Sequence, residues 1–351
     1  MIYAYGITQQ GTYHIKKDLV CQDAHNIIKV GENCVIAAVA DGLGSEEHSD
    51  IASDMASKIS TEYCRNHLEA ACDDTAILEM IHESFSIAQR EIEKVAQENG
   101  HELDQYDTTL SLAILKDNML FYGHSGDSGI IALTTDGLYI KVTEQQRDEE
   151  GRVFPLYFGD DKWVFGKYPE PLVSVFLATD GMYEILFPVY IKNEPVSIYV
   201  ALAEYFMDPN ALHIAEVGEE AVHDKIDKFV RNIPDAQVND DKTVVVIMDT
   251  SLEIAYRNSE YYAEPNWKEL KRKYDEAWKR AAYPQLFDAD IKEDEVCEDD
   301  SSSAAEEAIE ENPQTELCNE NTTDEECKNK DYSGNLKRTI FSKWFSKNKK
   351  L

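Results

Sequence analysis

Hydrophobic positions in the first 250 residues follow two periods, one typical of strands and one typical of helices. Apolar runs rich in β-branched and aromatic residues predict strands at residues 2–8, 34–40, 172–179 and 243–248. Apolar side chains that recur every three or four residues predict helices at 48–67, 75–97, 195–206 and 216–232. Asp74 is the predicted start cap of the second helix, and Asn99 with Gly100 its end.

Between residues 108 and 142 the period is two, which predicts four consecutive strands at 108–115, 119–124, 129–134 and 138–142. Hairpin-turn residues join two of these pairs, at 116–118 and 135–137, so we expect an antiparallel meander. Residues 143–171 are polar and then aromatic without a clear period, which predicts a loop or a small flap.

The pattern changes after residue 250. Residues 261–282 carry a stripe of apolar side chains at helical spacing. Residues 288–330 contain 17 acidic and 3 basic residues and almost no large apolar ones, so burial cannot offset the entropy of ordering and disorder is expected. Residues 335–351 have the pattern of a basic amphipathic helix. We therefore expect a main domain at 1–250, a helical extension at 251–287, an acidic disordered linker at 288–334 and a basic amphipathic segment at 335–351.

Composition narrows the classes of function. A formal net charge of -34 opposes binding to nucleic acid through its phosphates and favours divalent cations or cationic partners. The seven cysteines show no Cys-x-x-Cys spacing, which argues against a zinc knuckle and a disulfide framework. Neither a signal-peptide pattern nor an apolar run of membrane-spanning length occurs, so we expect a cytoplasmic protein.

Acidic residues recur where predicted strands end or turn. Asp41 and Asp180 each follow a long apolar strand and precede glycine, Asp23 follows a short apolar segment, Asp127 lies between two strands, and Asp240 with Asp241 precedes the last strand. One Asp-Gly pair alone is typical of an ordinary turn. Carboxylates that converge repel each other unless a cation neutralises them, and oxygen ligands without histidine or cysteine suit Mg²⁺ or Mn²⁺.

The ordered set of motifs resembles the metal-dependent protein phosphatases, the type 2C serine/threonine phosphatases, and is most similar to their bacterial branch. The segments that carry the resemblance are Cys21-Gln22-Asp23-Ala24, residues 39–45, Thr108-Thr109-Leu110, Gly126-Asp127-Ser128, residues 177–182 and residues 240–244. The resemblance covers residues 1–250. It implies an α+β fold, a four-layer α-β-β-α sandwich of two antiparallel sheets flanked by helices.

The resemblance also implies a dinuclear Mn²⁺ or Mg²⁺ centre at one edge of the sandwich. Asp41 would bridge both ions, the Gly42 carbonyl would add a ligand, Asp180 and Asp240 would complete one shell, and Asp23 would act through water. Asp127 and Asp180 would hold a third, looser ion, with Glu184 as a further acidic neighbour. A hydroxide bridging the two ions would attack phosphoserine or phosphothreonine in a protein, without a protein nucleophile.

Four positions depart from the family pattern. Gln22 stands where glutamate is common, and Asp18 lies at the offset where eukaryotic members carry an arginine that grips phosphate. Gly129 replaces a common arginine, and Asp107 replaces a common glycine. The candidates for substrate binding are His14, Lys16, Lys17 and Thr108. His124 near the site is expected to be structural rather than an acid.

Three functions stay open at this point. The first is an active protein phosphatase that opposes a serine/threonine kinase. The second is a phosphatase-like domain that acts as a non-catalytic binding or regulatory module, motivated by the missing arginine. The third is hydrolysis of a non-protein phosphoester.

The basic segment at 335–351 leaves two alternatives of its own. It would attach the protein peripherally to an anionic membrane surface or to an acidic partner, or it would fold back onto the acidic linker or the negatively charged catalytic domain.

Overall fold

A computed structural model describes residues 1–284 of the chain. Within this range the strands are β1 (Ile2–Gln9), β2 (Asp23–Val30), β3 (Cys34–Asp41), β4 (Leu110–Lys116), β5 (Met119–Ser125), β6 (Gly129–Thr134), β7 (Tyr139–Lys141), β8 (Val164–Lys167), β9 (Leu172–Ala178) and β10 (Lys242–Asp249). The helices are α1 (Thr12–Lys17), α2 (Ser49–His67), α3 (Asp74–Asn99), α4 (Asp180–Leu186), α5 (Val200–Met207), α6 (Pro209–Leu212), α7 (Ile214–Arg231) and α8 (Trp267–Ala282).

The strands form two antiparallel five-stranded sheets. The first has the order β1-β10-β9-β6-β7 and the second the order β2-β3-β4-β5-β8. Helices flank both sheets, so the predicted α+β sandwich is confirmed.

Strand β3 shows why its sequence is apolar at every position. Val35, Ala37 and Val39 face the opposite sheet, while Ile36 and Ala38 face helices α2 and α3. An antiparallel strand usually alternates between core and solvent. Here both faces of the strand are buried, which explains why its positions before Asp41 are all apolar.

The predicted single meander at residues 108–142 is wrong, because the chain changes sheet in its middle. Strands β4 and β5 pair in the second sheet, and β6 and β7 pair in the first. The change occurs at residues 126–128, where Gly126 has φ 103°, a conformation that L side chains rarely adopt. A period of two shows that a segment is a strand but not which sheet it joins.

Two elements near the N-terminus were not predicted. Residues 12–17 form helix α1, and Asp23, predicted to follow a short apolar segment, is the first residue of strand β2. Strand β2 lies at an edge of its sheet and is mostly half-buried, so its apolar pattern is weak. In helix α3 the N-cap is Asp73, whose side chain accepts a hydrogen bond from the amide of Ala76, and not Asp74.

The predicted flap contains one strand that the sequence did not indicate. Strand β8 pairs with β5 and extends the second sheet. Helix α4, which begins at Asp180, was also missed, whereas α5 and α7 lie close to their predicted positions. Gly100 ends helix α3 in a left-handed conformation, as predicted.

Residues 251–267 continue the first of two compact units, which includes Met1–Trp267. The Tyr139 amide of strand β7 donates to the Tyr261 hydroxyl at 2.8 Å, and the Tyr262 hydroxyl donates to the Gly137 carbonyl at 3.2 Å. Helix α8 is the described part of the second unit. The predicted acidic linker at 288–334 and the basic segment at 335–351 lie outside the described residues.

None of the helices in residues 1–284 is both long and apolar enough to cross a membrane.

Candidate metal centre

Strands β2 and β3 bring Asp23 and Asp41 side by side. The strands are antiparallel, so the first residue of β2 pairs with the last residue of β3, and these are Asp23 and Asp41. The backbone at Asp41 is held by two threonines of the next segment. The Asp41 carbonyl accepts from the Thr109 amide at 2.8 Å and from the Thr108 hydroxyl at 3.0 Å. This bonding fixes the direction of the Asp41 side chain.

Gly42 follows in a position that only glycine can fill. Its amide donates to the Gln22 carbonyl at 3.0 Å. A Cβ atom at this residue would lie 2.5 Å from the carbonyl oxygen of Ser49 and 2.8 Å from that of Gln22, both backbone atoms that cannot easily move. The turn that presents Asp41 therefore packs directly against the start of helix α2.

Asp180 reaches the same region from the other sheet. It directly follows strand β9 and begins helix α4. The preceding Thr179 is buried, and its hydroxyl donates to Asp23 Oδ2 at 2.8 Å. This hydrogen bond connects the two sheets and orients the Asp23 carboxylate toward its neighbours.

Asp127 enters from the turn where the chain changes sheet. Its side chain is buried. One carboxylate oxygen from each of Asp41, Asp127 and Asp180 lies within 4.8 Å of the others. The sequence segments that supply these three residues lie far apart, and the structure brings them together.

The grouped carboxyls have pKa values far from those of exposed carboxyls. Burial, followed by repulsion from Asp241, raises the pKa of Asp23 well above its ordinary value. Burial, and then the charges of Asp23, Asp180 and Asp127, do the same to the pKa of Asp41. Burial and Asp127 raise the pKa of Asp180 to about 7. Such a cluster is stable at neutral pH only when protons or cations compensate its charge.

Asp240 and Asp241 have different roles. The buried Asp241 carboxylate accepts from the amides of Gly11 at 2.6 Å and Gln22 at 2.7 Å, and it lies 2.8 Å from Nδ1 of the buried His14. These donors occupy both of its oxygens. The Asp240 side chain is 56% exposed, and its charge contributes to the raised pKa values of Asp41 and Asp180. Asp240 is therefore the member of the pair that is available to a cation.

Arg147 is a member of the site that the sequence analysis missed. Its Nη2 atom lies 2.6 Å from Asp127 Oδ2, 3.3 Å from Asp180 Oδ2 and 3.1 Å from Glu184 Oε1. In the sequence it stands within a polar stretch without periodicity, and no nearby motif distinguishes it from other surface arginines.

The predicted substrate-binding residues occupy different environments. His14 is buried against Asp241, and the buried Thr108 donates to the Asp41 carbonyl. Lys16 lies on the exposed side of helix α1 in an ion pair with Asp235, at 3.1 Å, and Lys17 is exposed. Of these four, only the two lysines are exposed to an incoming substrate.

Two of the residues that depart from the family pattern, Gln22 and Gly129, have structural explanations. Gln22 donates from Nε2 to the Ser49 hydroxyl at 2.7 Å, so its amide binds the start of helix α2. At Gly129 a Cβ atom would lie 2.1 Å from the ring of the buried Tyr183, which leaves no room for a larger residue. Burial raises the pKa of Asp107 to about 7, with Glu46 and Asp104 adding to the effect.

His124 is a buried structural histidine, as expected. Its Nδ1 atom lies 2.8 Å from the Ser111 hydroxyl, and Nε2 lies 2.9 Å from the Glu144 carbonyl. The carbonyl can only accept, so Nε2 carries the proton and Nδ1 accepts from Ser111. Burial lowers the pKa of His124 to about 4, so the ring is neutral at physiological pH.

The donor set fits a hard divalent cation. The converging groups of Asp41, Asp127 and Asp180 are all carboxylates, and His14, which lies near Asp240 and Asp241, contacts Asp241. Oxygen donors suit Mg²⁺ or Mn²⁺, and a cation would relieve the repulsion that raises the pKa values. The acidic residues can therefore hold metal.

No curated protein matched the chain. Among solved structures it is similar to the S. agalactiae serine/threonine phosphatase, with a TM-score of 0.50, 14% identity and coverage of 71% of this chain and 99% of that one. It is also similar to the Staphylococcus aureus serine/threonine phosphatase Stp1, with a TM-score of 0.47, 15% identity and coverage of 71% and 95%.

The S. agalactiae comparison supports the fold. A family model described as protein phosphatase 2C matches residues 10–229, which include Asp23, Asp41, Asp127 and Asp180. The resemblance inferred from the motifs is thus confirmed, and because the match covers more than half of the sequence, this chain belongs to the protein phosphatase 2C family.

Proposed function

We propose that this protein hydrolyses phosphoserine and phosphothreonine in protein substrates and that the reaction requires two Mn²⁺ or Mg²⁺ ions. Asp41, Asp180, Asp240 and the Gly42 carbonyl would hold the ions directly, and Asp23 would contact them through water. When bound, the ions would supply hydroxide near neutral pH and neutralise the charge of the phosphate. The substrates would be the phosphorylated products of a serine/threonine kinase.

The convergence of Asp41, Asp127 and Asp180 within 4.8 Å carries this proposal. Three unrelated turns would not be expected to bring partly buried carboxylates together, because unneutralised charge away from water is costly. Family membership adds support, since the matching family model is described as protein phosphatase 2C and the structurally similar S. agalactiae protein is a serine/threonine phosphatase.

Hydrogen bonds within the chain would hold the proposed metal ligands in place before a metal ion or substrate binds. Threonines 108 and 109 hold the Asp41 backbone, and Thr179 holds Asp23 Oδ2. Fixed carboxylates need little rearrangement when charge develops on the phosphate, which is the condition for electrostatic catalysis. Lys16 and Lys17, exposed on helix α1, are the remaining candidates to contact the substrate phosphate.

The test is hydrolysis of p-nitrophenyl phosphate and of a phosphothreonine peptide, with EDTA, Mn²⁺ or Mg²⁺. We expect activity only with added metal, and we expect Asp41→Asn and Asp180→Asn to lower kcat by about 100-fold or more, because each removes a charge that supports the transition state. Asp136→Asn is the matched control, since Asp136 is exposed in the turn between β6 and β7. Circular dichroism confirms that each variant is folded.

Four results would contradict the proposal. Full activity in EDTA, or in both site variants, would exclude a metal mechanism at this centre. Metal binding without turnover of either substrate would favour the non-catalytic module instead. Turnover of p-nitrophenyl phosphate with none of a panel of phosphopeptides would favour a non-protein phosphoester as the substrate.

A further inference from the structure

The Arg147 side chain contacts three carboxylates, whereas a simple surface ion pair involves one. Its guanidinium lies against Asp127, Asp180 and Glu184 at 2.6, 3.3 and 3.1 Å. Nε donates a hydrogen bond to Asp127 Oδ2 at 2.9 Å, so this oxygen has both a hydrogen bond and a close ion-pair contact with the guanidinium. Charge-assisted bonds of this kind are among the stronger hydrogen bonds in proteins.

The backbone around Arg147 is fixed to the turn that carries Asp127. The Gln146 amide donates to the Gly126 carbonyl at 2.8 Å, and the Gly126 amide donates to Gln146 Oε1 at 3.0 Å. The Gln145 side chain donates to the Asp127 carbonyl at 2.7 Å. These bonds place the arginine beside Asp127 independently of its own long side chain.

The guanidinium neutralises only one side of the centre. Asp127, Asp180 and Glu184, which Arg147 contacts, are on that side. Among the ion pairs of residues 1–284, Asp23 and Asp41 have no cationic partner. Burial raises the pKa of Asp127, and the charge of Arg147 opposes that effect. Of the carboxylates assigned to the two ions, Asp23 and Asp41 therefore still need cations and Asp180 is shared with the guanidinium, while Asp127 already has a positive partner.

We propose that the Arg147 guanidinium is a built-in counterion that takes the place of a third metal ion at Asp127, Asp180 and Glu184. This inference rests on the proposed metal-dependent function. With Arg147 in place the protein binds two ions, and a third enters only when the arginine leaves. Arg147 is thus a positioning residue, which holds Asp127 and Asp180 with a charge that does not depend on the metal concentration.

The test counts Mn²⁺ ions rather than activity. We titrate the full chain with Mn²⁺ by isothermal calorimetry and follow free Mn²⁺ by electron paramagnetic resonance. The variants are Arg147→Met, which removes the charge and keeps a long side chain, and Arg147→Lys, which keeps the charge. Arg152→Gln is the matched control, because Arg152 is 76% exposed in the same loop and pairs only locally, with Asp148 and Glu150.

We expect two sites in the wild type, in Arg147→Lys and in Arg152→Gln. Arg147→Met should gain a third site that binds about tenfold or more tightly than any further ion in the wild type, since a nearby positive charge no longer repels the ion. Adding Asp127→Asn to Arg147→Met should abolish the gained site. Thermal unfolding of each variant in EDTA verifies that it is folded.

The possible failures are distinguishable. Three equivalent ions in the wild type, no gain in Arg147→Met, or a gained site that survives Asp127→Asn would each overturn the role of Arg147. A wild-type protein that binds no Mn²⁺ would overturn the proposed metal-dependent function, and the inference with it.

Discussion

Replacing Asp180 by asparagine should make the metal-free protein more stable at alkaline pH. The pKa of Asp180 is raised from 3.8 to about 7, chiefly by burial and the charge of Asp127. Between pH 4 and 7 the folded chain therefore retains a proton that the unfolded chain has released, and the free energy of unfolding falls as pH rises. At about 1.4 kcal/mol per pKa unit, the cost of this one group reaches about 4 kcal/mol above pH 7.

The measurement is urea unfolding of the wild type and of Asp180→Asn in EDTA at pH values from 4 to 8. Comparing the two proteins is necessary because other groups act in the opposite direction. The pKa of His124 is lowered to about 4 by burial, so its contribution makes the folded state more stable as pH rises toward 6.5. This contribution is common to both proteins and cancels in the difference.

We expect the two proteins to agree near pH 4 and the variant to be more stable by up to about 4 kcal/mol at pH 8. Saturating Mn²⁺ should reverse the order, because a neutral amide is a poorer ligand for a hard cation than a carboxylate. Asp136→Asn should match the wild type throughout. A variant that is equally or less stable than the wild type in EDTA at pH 8 would refute the electrostatic reasoning.

Two further predictions concern the support of the site. His14→Ala should lower the free energy of unfolding by about 1–3 kcal/mol, because it removes a buried hydrogen-bond donor to Asp241. His14→Asn should recover part of this loss, since the asparagine amide can replace the Nδ1 donor. Equal losses for the two variants in urea unfolding would contradict this role of His14. Gly129→Ala should lower the free energy of unfolding by about 1–3 kcal/mol, because the added methyl group overpacks against Tyr183. Adding Tyr183→Leu should reduce that loss. Additive losses for the two substitutions in thermal unfolding would contradict direct contact between the two residues.

The strand ends that carry Asp41 and Asp180 were predictable from the sequence. Each follows a continuous apolar run, and such a run must be buried wherever it lies in the fold. Asp23 was predicted only to follow a short apolar segment, because β2 is an edge strand with a weak apolar pattern and its pairing with β3 decides the position of Asp23. Local periodicity contains no information on such pairing.

The different roles of Asp240 and Asp241 were not predictable from the pattern of residues along the chain. Both are acidic and adjacent, and only the folded structure shows that amide donors and His14 surround Asp241. The same limit applies to Arg147, whose contacts depend on the point where the chain changes sheet. Side chains that act across sheets are determined by tertiary packing, which a pattern along the chain does not record.

The tyrosine contacts of residues 251–267 have a consequence for the solution behaviour of the protein. Strand β7 is the outer strand of its sheet, and an exposed outer strand is a template for pairing with other chains. The Tyr261 hydroxyl accepts a hydrogen bond from the Tyr139 amide on this strand. In the turn before the strand, the Ala255 amide donates to the Thr135 carbonyl at 2.7 Å. The segment thus covers part of this edge and leaves fewer backbone groups available for pairing with another chain.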